Sequence, residues 1–186
     1  MRNGKRSERG LLSLEACIAV TIFMFLMLFM YSFFVVFEAR NAIGHSVLAT
    51  ANSLSLDAYG NSKYGDADTI AKIFYAIYGT SGVNDSGFVD TQKWYDDASG
   101  ANSSGFQSAI QTRFLAYLGG GDKQRANELL ERYHIQGGAD GLDFSDSKVE
   151  GGRLYLSVKY TIEYEFQVFN LDVLKMEQKA CSKLWT

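Results

Sequence analysis

Proline is absent from all 186 residues, where about nine would be expected at the ordinary usage of ~5%. Nothing in the chain is stopped by proline, so long helices and complete strand ladders are permitted. Cysteine is scarce. Cys17 lies in an apolar run and Cys181 near the C-terminus. One in lipid and the other in water argues against an intrachain disulfide, and no disulfide scaffold is implied. The two histidines, His45 and His134, have no metal-ligand spacing between them. Enzyme signatures are missing too: there is no G-x-S-x-G, no H-E-x-x-H and no Walker loop. Asp140 and Asp143 near His134 have no nucleophile close in sequence. The expectation is a protein that is not an enzyme, with no cofactor and no metal.

Charge is absent from Ala16 to Phe37. As a helix this run spans about 33 Å, close to the ~30 Å hydrocarbon core of a bilayer. A cleavable secretory signal has a shorter apolar region followed by a small-residue site, and neither feature is present. Ahead of the run, residues 1–9 hold Arg2, Lys5, Arg6 and Arg9 against Glu8, a local balance of +3. The whole chain carries −3, so the remainder balances to −6. A nucleic-acid binder carries its basic patch on the folded domain, so no nucleic-acid partner is expected. A basic tip on an acidic body fits a signal anchor, with the N-terminus inside and the folded domain outside.

The helical pattern continues past the apolar run. Ile43, Val47, Ala51, Leu54 and Ala58 recur at three- and four-residue steps, with Arg40, Asn41, Ser46, Asn52 and Ser53 in the other positions. One helix is expected from about Leu11 to Tyr59, roughly 73 Å long. Gly60-Asn61 is its expected stop. Gly44 is its weak point, since glycine costs ~1 kcal/mol in a helix interior. A second helix is expected at 66–78, with Asp66 and Asp68 in its first turn. Residues 79–105 read as a long exposed loop around Trp94-Tyr95.

Phe106, Ile110, Phe114, Tyr117 and Leu118 define a third helix, ended by Gly119-Gly120-Gly121. Asp122 can cap a fourth, with Ala126, Leu129, Leu130 and Tyr133 inward. The period then switches to two. Leu154, Leu156, Val158, Tyr160, Ile162, Tyr164 and Phe166 alternate with polar residues, as in a long strand with one buried face. Gly151-Gly152 reads as a hairpin turn from a strand near Asp146–Glu150. Phe169-Asn170 turns the chain into a last strand, about Asp172–Leu184. The expected fold class is α+β: a long N-terminal membrane-spanning helix, with short helices packed on a C-terminal antiparallel β-meander. The chain then divides into a basic cytoplasmic leader (1–10), a transmembrane part (11–37), an amphipathic extension (38–60) and an extracytoplasmic domain (61–186).

One short string carries a function. Arg9-Gly10, four residues, then Glu15-Ala16 at the head of the apolar helix resembles the type IV pilin superfamily. Within it the string R-G-x-x-S/T-x-E-A is most similar to TadE-like minor pilins and pseudopilins of the tight-adherence pilus system. The tail Lys183-Leu184-Trp185-Thr186 is weakly similar as well. The resemblance covers about residues 5–40. It implies a pilin-like fold and cutting by a prepilin peptidase between Gly10 and Leu11, which makes Leu11 residue one and Glu15 residue five. It also implies a bacterial host, the cytoplasmic membrane or a cell-surface pilus as location, and membrane lipid, other pilin subunits and the pilus assembly machinery as partners. One departure is Thr21, where such proteins often carry a proline; the kink of that proline is not expected. Leu11 and Leu12 also replace the small or aromatic residues often found after the cut.

The chemistry of the motif is consistent with that implication. A cut needs a small, flexible residue with basic residues held inside, and Gly10 with Arg9, Arg6 and Lys5 supplies both. Cleavage creates an α-ammonium on Leu11. Glu15, one turn later, faces it in the same or a neighbouring subunit. Buried polar pairs of this kind can fix register. The plainer reading of Glu15 is a carboxylate snorkelling at the edge of an ordinary anchor. In that case the protein is an uncleaved single-pass anchor bearing an extracytoplasmic protein-binding domain. Cys17 reads as apolar filler, and the Phe/Met stripe from Phe23 to Met30 as lipid-facing bulk. Asp85, Asp90, Asp96 and Asp97 lack the spacing of a calcium loop.

Overall fold

The computed structural model describes residues 4–64, 104–163 and 173–184. One helix, α1 (Gly4–Tyr64), dominates it. At 61 residues it is about 90 Å long. Ser13 to Tyr31 are exposed along it, while its second half is the spine of the folded domain. Ala39, Ile43, Val47, Ala51 and Leu54 are essentially inaccessible to solvent. They form the stripe read from the sequence, with Ala39 added and the side chain of Ala58 outside the described residues.

Two shorter helices follow, α2 (Ser104–Gly119) and α3 (Lys123–Arg132). Between them Gly120 has φ +66° and the Gly121 N–H donates to the Ala116 carbonyl at 2.7 Å. This left-handed closure satisfies an orphan carbonyl at the end of α2. Asp122 then caps α3, accepting from the backbone N–H groups of Gln124 (2.8 Å) and Arg125 (3.4 Å). Asp122→Ala should lower domain stability by about 1 kcal/mol, measured by urea unfolding in detergent. A 3₁₀ turn at Gly138–Gly141 leads into the sheet.

The sheet has three antiparallel strands in sequence order: β1 (Lys148–Glu150), β2 (Arg153–Glu163) and β3 (Val173–Lys183). Gly151 and Gly152 both have positive φ, as the tight hairpin between β1 and β2 requires. Leu154, Leu156, Val158, Tyr160 and Ile162 all point into the core. α1 packs across β2 and β3, α2 packs on α1, and α3 on α2. Phe106, Ile110, Phe114, Leu118, Ala126, Leu130 and Tyr133 complete one hydrophobic cluster. The expected second helix, the loop around Trp94, the Tyr164–Phe166 end of the long strand, the Phe169-Asn170 turn and the two C-terminal residues lie outside the described residues.

Four expectations are corrected. α1 does not stop at Gly60-Asn61 but runs to Tyr64. Glycine ends a helix by turning left-handed; held in helical geometry it costs only ~1 kcal/mol, which a long cooperative helix absorbs. α1 also starts at Gly4 and not near Leu11, so residues 4–10 continue the helix. α2 starts at Ser104, inside the last positions assigned to the loop. Ser46 and Ser53 are buried. The Ser46 hydroxyl donates to the Ala42 carbonyl at 2.9 Å, and Ser53 Oγ accepts from Arg113 Nη1 at 2.6 Å. A small hydroxyl satisfied in this way is tolerated in a core.

Gly44 has a distinct explanation. A β-carbon there would lie 3.6 Å from the Gln178 side chain, an ordinary contact. Neither close approach nor left-handed geometry requires glycine at this position. Gly44→Ala should raise stability by up to about 1 kcal/mol through helix propensity alone. An unchanged or lower unfolding midpoint would show that the helix–sheet seam has no room for the added methyl.

Candidate functional site

The N-terminal half of α1 is an apolar rod. From Leu14 to Phe34, and again at Phe37, its large side chains are open to solvent, with Phe23, Met24, Met30, Phe34 and Phe37 each about 60% exposed. Helix formation satisfies every interior backbone group, the one requirement lipid imposes that a loop cannot meet. α1 contains one stretch, within Ser13–Leu56, that is long and apolar enough to cross a membrane. The rings of Phe29 and Phe33 pack on each other at 5.2 Å along one side of the rod.

Gly10 and Leu11 lie inside the first turns of this helix, and Glu15 is exposed one turn further on. The helix therefore places positions 11 and 15 on one face. Thr21, the position of the departure from the pilin pattern, donates its hydroxyl to the Cys17 carbonyl at 2.8 Å. That is the i−4 carbonyl a proline ring would clash with. α1 accordingly continues through Thr21 without a break. Ser32 repeats the device on the Leu28 carbonyl at 3.2 Å.

Polar groups gather at the junction between rod and domain. Glu38, the first charge after the apolar run, lies beside the buried Tyr133 hydroxyl. Burial, and then the Glu38 carboxylate, hold the Tyr133 hydroxyl above its ordinary titration range. Two residues on, Arg40 lies close enough to Tyr160 to act on it electrostatically. Burial is nevertheless the dominant influence on Tyr160 and raises it. The Tyr160 hydroxyl stands beside Gln178 but makes no well-formed hydrogen bond among the described residues.

Sequence reasoning missed Arg113. It is only 1% exposed, between α2 and α1, and bonds Ser53. Its position in α2, seven residues after Phe106, is on the inward face, so periodicity alone gave the signal.

Among the described residues no three His, Cys, Asp or Glu side chains converge as metal ligands. Cys17 and Cys181 are exposed free thiols. Two open grooves lie on the outer face of the sheet. One of about 340 Å³ is lined by Lys148, Tyr155, Ser157, Lys179 and Cys181. Its charges are already engaged: Lys148 with Glu150, Lys179 with Glu177, and the Ser157 hydroxyl with Glu177 at 3.0 Å.

These features define a class: an α+β protein with, among the described residues, one candidate membrane span near its N-terminus and a small antiparallel sheet. No family model matches the chain, and no curated protein or solved structure matches it either.

Proposed function

We propose that this protein is a minor pilin or pseudopilin of a tight-adherence or type IV-like pilus, made as a membrane-anchored precursor. A prepilin peptidase cuts after Gly10, and the freed helix assembles with those of other subunits in pilus biogenesis or adhesion. The observation that carries this reading is the spacing of Gly10 and Glu15 at the head of a continuous, exposed, uncharged helix. Such a rod has lipid or other helices as its only suitable surroundings. Glu15 is then the partner of the new α-ammonium on Leu11, pairing charge in an apolar bundle.

One observation favours the second reading, an uncleaved anchor carrying an extracytoplasmic binding domain. The Gly10–Leu11 bond lies within α1, so a peptidase must first unwind the helix there. Glycine is the residue at which that unwinding costs least.

Exchanging residues 11–37 for an unrelated apolar helix of equal length separates the two. The pilin reading expects the exchanged chain to insert in the membrane and to be lost from pili. Retention of function by the exchanged chain would favour the simple anchor.

A further inference from the structure

The register between α1 and the sheet fixes how close the domain stands to the bilayer. Gly44 lies against Gln178, and Asn52 receives the Ser182 hydroxyl at 3.4 Å. Eight helical residues therefore advance alongside four strand residues, about 12 Å against about 13 Å, so α1 and β3 run parallel and in step. Continued toward the membrane, this register sets Met176 level with Arg40 and Val173 level with Phe34. The first of these is consistent with Arg40 standing within electrostatic reach of Tyr160, whose strand partner is Met176.

Phe34 belongs to the uncharged run. A hydrocarbon core of ~30 Å consumes nearly all of the roughly 33 Å from Ala16 to Phe37. The start of β3 thus stands at the edge of the hydrocarbon. The end of β2 accompanies it, because Glu163 pairs with Val173. The turn after α3 is bound to the same end: the Glu163 N–H donates to the His134 carbonyl at 2.8 Å, and the Gln136 N–H to the Thr161 carbonyl at 2.9 Å. Tyr133, in this turn, lies beside Glu38 of α1. Arg132, His134, Glu163, Val173 and Lys175 are all exposed around this rim.

We infer that this rim, formed by the turn after α3 and the paired ends of β2 and β3, is seated in the phospholipid headgroup layer. Headgroups occupy about 5–7 Å on each side of the hydrocarbon and present both phosphate and ammonium charge. Among the described residues the rim carries both signs of charge around one exposed valine, which matches that layer. The domain is docked on the bilayer at a fixed height, with no free stalk between them. The inference rests on the membrane-anchored reading of α1 and is independent of cutting at Gly10.

Depth-dependent quenching tests it on the full chain. In a Cys17→Ser, Cys181→Ser background, single cysteines at Phe25, Val173 or Arg153 carry a fluorophore in phosphatidylcholine/phosphatidylglycerol vesicles. The vesicles carry nitroxides either on the headgroup or in the acyl chain. The expected result is Phe25→Cys quenched from the acyl chain and Val173→Cys quenched from the headgroup severalfold more than Arg153→Cys. Arg153 lies ten residues up β2 from Glu163, about 34 Å away. Quenching at Phe25→Cys, with Val173→Cys as unaffected as Arg153→Cys, overturns the seating while leaving the anchor intact. No quenching at Phe25→Cys overturns the anchored reading and the seating with it.

Discussion

Glu15→Ala is expected to leave the chain inserted in the membrane and to remove it almost completely from assembled fibres. Insertion depends on the uncharged run from Ala16 to Phe37, which the substitution does not touch. Assembly depends on what Glu15 meets. In a bundle of apolar helices an α-ammonium on Leu11 without its carboxylate is a buried unpaired charge. Leaving one partner of such a pair alone costs about 3–5 kcal/mol, a hundredfold or more in subunit incorporation. Glu15→Gln keeps the shape and removes the charge, so it should fail nearly as badly; Glu15→Asp, which keeps the charge one methylene shorter, should retain part of the activity. The readout is the ratio of subunit in sheared fibres to subunit in membranes. Unchanged incorporation of Glu15→Ala would remove the role assigned to Glu15 and return it to a carboxylate at the edge of an anchor.

Val47→Asp is expected to unfold the domain while the anchor stays inserted. Val47 is 1% exposed, on the face of α1 that meets β2, β3 and α2 in one cluster. Removing it forfeits about 1.5–3 kcal/mol of apolar burial. Placing a carboxylate there adds several kcal/mol more, because the cluster is apolar. A domain of this size holds roughly 5–15 kcal/mol in total. Val47→Ala should cost only about 2 kcal/mol and leave the domain folded. Limited proteolysis of membrane fractions separates the cases: Val47→Asp should be reduced to a protected anchor, and Val47→Ala should resist like the parent chain. Equal resistance of both would mean that α1 is not the spine of the domain.

The two halves of α1 show what the sequence made legible. The apolar rod and the Ile43–Leu54 stripe were readable because an uncharged run and a 3.6-residue period each admit few alternatives. β2 was readable because a period of two over Leu154–Ile162 puts every apolar residue on one face. The Asp122 cap was readable because its hydrogen bonds are local. The boundaries were less so. Gly60 carries the same local signal whether the chain turns there or runs on, and only the global structure decides. Arg113 failed for another reason: its position said inward and its charge said outward. A partner sixty residues away in sequence, Ser53, settles the conflict, and no local pattern encodes that pairing. The candidate site is a mixed case. The spacing of Gly10, Leu11 and Glu15 was legible, whereas the helical state of the bond to be cut was not.

The central claim is that the Gly10–Leu11 bond is cut and that the new amine meets Glu15. Mass spectrometry of the N-terminus, on protein isolated from its native host with its prepilin peptidase present, tests it most directly. The account predicts a mature chain beginning at Leu11. A population that begins at Met1, in cells that process other pilins, would contradict it.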